Sequence, residues 1–99
     1  MPSRTVVVGS ASGLHARPAA LFVAAAAAQP VRVTIRTADK PPVPANSMLS
    51  VLALGAKHGT EVTLEAEGDG AEAALAALAD LLVRDHDRET PAEAAGAGA

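Results

Sequence analysis

Residues 31–37, VRVTIRT, alternate without a break: Val31, Val33 and Ile35 point one way, Arg32, Thr34 and Arg36 the other. A period of two with one apolar side describes a half-buried strand whose other side meets water. Residues 61–67, EVTLEAE, repeat the pattern with Val62, Leu64 and Ala66 inward. Two such strands call for an antiparallel sheet covered on one face and wet on the other. If they are neighbours, Arg32 and Arg36 can reach Glu61, Glu65 or Glu67 across the wet face, each pair contributing ~0–1 kcal/mol.

The flanking segments supply the cover. Residues 4–8, RTVVV, are β-branched and end at Gly9, which reads as a first strand. From Ala16 to about Ala28 the chain is alanine-rich with Leu21, Phe22 and Val23, a helix former that Gln29-Pro30 stops. Residues 38–40 form a turn, and residues 41–45, PPVPA, allow only a short edge strand because three prolines remove three ladder donors. Asn46 or Ser47 can cap a short helix holding Met48, Leu49, Val51 and Leu52, closed by Gly55. Asp69 is placed to cap a last helix, with Glu72 completing a capping box and Leu75, Leu78 and Leu82 on its core face. The expected fold is α+β, an open-faced β-sandwich in the order β-α-β-β-α-β-α, with a four-stranded antiparallel sheet and three helices on one face. Residues 1–84 make the domain; residues 85–99, DHDRETPAEAAGAGA, read as a disordered tail.

Composition narrows the function. In 99 residues, 49% hydrophobic, the lone aromatic is Phe22, so alanine, valine and leucine must build the core. A net charge of −3 argues against nucleic-acid binding, and the absence of cysteine excludes thiolate chemistry and cysteine-bound zinc. No metal site is expected: His58 lies in an exposed turn, and His86, between Asp85 and Asp87, lacks further ligands at useful spacing. The run from Arg17 to Ala28 has the positive charge, apolar run and small residues of a secretion signal, but its alanine content and Pro18 mark a helix start instead. No stretch of ~18 strongly apolar residues exists to span a membrane, so the cytoplasm is the expected compartment. Neither a nucleophile triad nor a phosphate-binding glycine loop is present, which points away from hydrolysis and nucleotide binding.

Chemistry gathers at residues 13–19, GLHARPA, where a histidine stands immediately before the long helix. A helix start leaves amides without partners and carries partial positive charge, which favours neutral imidazole over imidazolium and attracts anions. Pro18 fits a first turn, Arg17 brings a guanidinium matched to phosphate oxygens, and Ser12 can add a hydroxyl. A phosphoryl group on His15 would meet donors already in position. The same spacing also suits a surface histidine with Arg17 merely solvated.

The segment GLHARPA followed by an apolar helix resembles the active-site signature of the histidine-containing phosphocarrier (HPr) family of the phosphoenolpyruvate-dependent sugar phosphotransferase system. Residues 46–55, NSMLSVLALG, are similar to that family's regulatory serine segment, and the likeness extends over about residues 3–84. It implies a protein that is no enzyme and needs no cofactor. His15 would accept phosphate on Nδ1 from enzyme I and pass it to an enzyme IIA domain. Arg17, Pro18, Ser12 and the amides of Ala16 and Arg17 would steady the phosphate, and Leu21, Met48, Leu49 and Leu52 would form the docking surface. Ser47 would be a phosphorylation site for a serine kinase, although an N-cap already explains a serine there. A monomer is expected, since transient partners need the docking face free. The alternative is a regulatory protein of the same fold, nitrogen-type or docking on transcription factors. The family pattern is departed from in the proline-rich residues 39–45, at Ala20, in the alanine-rich first helix and in the tail.

Overall fold

A computed structural model describes residues 2–11, 13–14 and 16–84 of the chain. Ser12, His15 and the tail at 85–99 lie outside the described residues. The elements run β1 (Ser3–Val7), α1 (Ala16–Ala27), β2 (Val33–Thr37), β3 (Val43–Pro44), α2 (Met48–Ala53), β4 (Glu61–Ala66) and α3 (Ala71–Val83). Their order is the one expected.

All pairings are antiparallel, and the strand order is β1-β4-β2-β3. The two alternating strands therefore sit side by side at the centre, with Ile35 opposite Leu64 and Val33 opposite Ala66. Val33, Ile35 and Thr37 on β2, with Val62, Leu64 and Ala66 on β4, are buried beneath the helices. On the open face Arg36 reaches Glu65 at 3.8 Å, and Thr5 and Thr63 share a 2.9 Å hydroxyl hydrogen bond between β1 and β4. Both contacts pin register more than they stabilise, because both are open to water.

The helices seal the other face. On α1, Ala19, Phe22 and Ala26 recur at helical spacing and are buried. The alanines bring the helix backbone close to its neighbours, and the phenyl ring fills the space they leave. α3 buries Ala71, Ala74, Leu75, Leu78, Ala79 and Leu82. Fully buried leucines such as Leu75 and Leu78 contribute about 1.5–3 kcal/mol each.

Three local expectations are corrected. The strand read from Val31 begins at Val33, because β4 ends at Ala66, the residue opposite Val33, and the ladder stops there. The first strand starts one residue earlier than read and leaves Val8 beyond its end. The capping box of Asp69 and Glu72 does not form: the cap of α3 is Gly70, with φ 89°, and no side chain caps it. The left-handed glycine turns the chain, and backbone bonds take over: Ala71 N–H donates to Gly68 O at 3.1 Å and Ala74 N–H to Gly70 O at 2.9 Å. The proline-rich residues behave as read, leaving β3 two residues long at the sheet edge.

Candidate functional site

The chain reaches the start of α1 through a loop held at both ends. Where β1 finishes, Val8 is buried and exchanges backbone bonds with the 59–60 turn: Val8 N–H to Thr60 O at 3.0 Å, Gly59 N–H to Val8 O at 2.9 Å. Gly9 N–H then donates to Leu82 O in the last turn of α3 at 2.8 Å. At the far end Gly13 N–H closes a turn onto Ser10 O at 3.0 Å, and Leu14 N–H donates to Ala56 O at 2.8 Å. Gly13 has φ 80°, and a Cβ there would stand 2.8 Å from Ala56 O and 2.9 Å from Lys57 Cα. Only glycine meets both demands. The side chain of Leu14 is buried in the core, so the loop is anchored immediately before the helix.

α1 opens at Ala16, the position after His15 in sequence. Its first turn carries Arg17 and no acidic residue, so nothing there offsets the positive end of the helix dipole. Arg17 is exposed, whereas Pro18 is buried and serves as a wedge under the first turn rather than as surface. Lys57 and His58, both exposed, lie in the turn whose backbone packs against Gly13. Amide dipoles at a helix start, with an arginine in the first turn, are chemistry suited to an anion.

α2 packs against α1. Ser47 is its N-cap, accepting from Ser50 N–H at 3.3 Å, so of the two expected caps the serine acts. At the other end Lys40 Nζ donates to Ala53 O at 3.3 Å and Leu54 O at 3.2 Å. The four apolar side chains expected on the docking surface divide. Leu49 is 83% exposed and Leu21 is 38% exposed. Met48 and Leu52 are half-buried and pack against the core. Sequence reading missed Lys40 and Gly9, both of which act through contacts with residues distant in the chain.

An open-faced β-sandwich whose first helix opens with Arg17 and Pro18, in a sequence that puts His15 immediately before that helix, defines a phosphocarrier domain. Residues 2–84 match the family model described as PTS HPr component, phosphorylation site. The chain is 57% identical over 82 residues to the phosphocarrier protein HPr of Streptomyces coelicolor, covering 83% of this chain and 88% of that protein. It is 52% identical over 80 residues to the phosphocarrier protein HPr of Haloferax volcanii, covering 80% and 90%. Its fold superimposes on the crystal structure of HPr from Bacillus anthracis with a TM-score of 0.78 at 37% identity, covering 82% of this chain and 95% of that one. The chain belongs to the HPr family of the phosphotransferase system.

Proposed function

We propose that this phosphocarrier holds its phosphoryl group on His15, taking it from phosphorylated enzyme I and giving it to an enzyme IIA domain. In each step one N–P bond replaces another: the acceptor ring nitrogen bonds to phosphorus as the donor ring nitrogen leaves. Such an exchange asks the protein for position and charge neutralisation rather than for a new catalytic group. The observation that carries the reading is the opening turn of α1, with Arg17 exposed, no acid nearby in the turn, and the preceding loop pinned by Gly13 and Leu14. The amides of Ala16 and Arg17 then meet the phosphate oxygens, with the hydroxyl of Ser12 as a further donor and Pro18 holding the turn. Leu49 and Leu21 are the contacts partners touch first, and Met48 and Leu52 support them from the core side.

Ser47 fits a modification site beside that surface. Its hydroxyl caps α2, and a phosphate there would add charge next to exposed Leu49, weakening docking of acidic partners. A serine kinase would therefore act as a brake. The chain works as a monomer in the cytoplasm, where phosphoenolpyruvate is made; among the described residues no helix is long and apolar enough to cross a membrane. The regulatory-docking alternative is not favoured, since relatives matched over most of their own length are named phosphocarriers.

The decisive experiment incubates the protein with labelled phosphoenolpyruvate and enzyme I. Acid-labile label is expected on the wild type and none on His15→Ala. Arg17→Glu is expected to slow transfer strongly with an unchanged circular-dichroism spectrum. Label on His15→Ala, or none on the wild type, refutes the assignment.

A further inference from the structure

The carboxyl-terminal turn of α3 touches the loop that leads to the start of α1. Gly9 N–H donates to Leu82 O at 2.8 Å, and a Cβ on Gly9 would fall 2.0 Å from Val83 O and 2.6 Å from Val83 C. Both are backbone atoms, so no side-chain rotation relieves the contact. Just past Gly9 a backbone hydrogen bond links the chain to Gly13. Ser10 is buried and its carbonyl accepts from Gly13 N–H, after which Leu14 N–H is fixed to Ala56 O and α1 begins at Ala16. A displacement at Gly9 is passed through Ser10 and its hydrogen bond to Gly13 and Leu14, two residues short of the helix.

We infer that Gly9, seated on Leu82 and Val83, is a positioning residue for phosphoryl transfer, and that the last turn of α3 is the strut that sets the height of the acceptor loop. The inference rests on His15 being the carrier residue. It assigns a functional part to a helix end that none of the expected site residues occupies. The docking residues Leu49, on α2, and Leu21, more than a turn beyond the opening of α1, stand off this path, so a fault at Gly9 falls on the transfer step rather than on partner binding.

The test measures enzyme I turnover with wild type, Gly9→Ala, Val83→Gly and Ile35→Val as phosphoryl acceptors. A misplacement of about 1 Å costs up to about a hundredfold in rate. Gly9→Ala is expected to lower kcat by about ten- to a hundredfold with KM unchanged and native circular dichroism. Ile35→Val weakens the core on β2 without touching the loop and is expected to keep the wild-type kcat. Wild-type kcat in Gly9→Ala, or an equal loss in Ile35→Val, overturns the inference while leaving the carrier reading intact. Should Gly9→Ala fail to fold, Val83→Gly decides. That exposed position tolerates the change, and loosening the last turn is expected to lower kcat without raising KM, whereas an unchanged kcat overturns the strut. Absence of label on the wild type removes both readings together.

Discussion

Replacing Gly13 by alanine probes the seat of the acceptor loop, and Gly55→Ala supplies its control. Both glycines adopt left-handed backbone, with φ 80° and 64°. An L-residue pays ~1–2 kcal/mol for that conformation. The alanine also stiffens the unfolded chain, an opposing ~0.4–1 kcal/mol common to both variants. They differ in their surroundings. A Cβ on Gly55 meets nothing within 4 Å, whereas on Gly13 it meets Ala56 O at 2.8 Å and Lys57 Cα at 2.9 Å. Relieving those contacts means lifting the loop from the 56–58 turn, which endangers the Leu14 N–H to Ala56 O bond, worth ~0.5–1.5 kcal/mol net. Some of the ~1.5–3 kcal/mol from burying Leu14 goes with it. Gly13→Ala should therefore cost about 1–2 kcal/mol more than Gly55→Ala. At ~4–8 °C per kcal/mol for a domain this size, the melting temperatures should differ by roughly 4–16 °C. Urea titration and thermal melting followed by far-ultraviolet dichroism measure both quantities. Equal stability of the two variants would mean that the loop does not rest on the turn, and the account of how the site is held would fail.

Phe22→Ala is expected to remove ~3–5 kcal/mol, a large share of a small domain's stability, and urea titration showing under 1 kcal/mol would contradict the ring's place in the core. Leu49→Ala should leave stability within ~0.5 kcal/mol while raising the KM of enzyme I for this acceptor, and an unchanged KM removes Leu49 from the docking surface. Lys40→Met should cost ~0.3–1 kcal/mol and speed hydrogen exchange at the Leu54 and Gly55 amides, where unaltered exchange would show that the ammonium does not hold the end of α2.

The sheet was legible because its central strands alternate, and alternation survives any tertiary context that covers one face. The short helix was legible for a similar reason: Ser47 and Gly55 bracket it with local chemistry. Asp69 misled because a capping box needs an extended cap residue, and Gly70 at φ 89° moved the helix entry past the aspartate. At the site, the motif around Arg17 and Pro18 is written in consecutive residues, so it could be read directly. What holds it could not. Gly9 ends a strand-like run and looks like an ordinary stop, and its contact with Val83 joins residues at opposite ends of the domain. Lys40 resembles any exposed lysine in a turn until α2 is folded beside it. The docking side chains lay between these cases: helical spacing marks Met48 and Leu52 as apolar, but only the packed helix shows them leaning on the core while Leu49 stands clear.

Phe22 has one more consequence. The chain contains neither tryptophan nor tyrosine, and the single benzene ring is sealed beneath α1. Near-ultraviolet dichroism of this protein therefore arises from one chromophore at a known address. A slackened interior that kept its helices would silence that signal while the peptide bands persisted, so a molten state of this carrier could be recognised without attaching any dye.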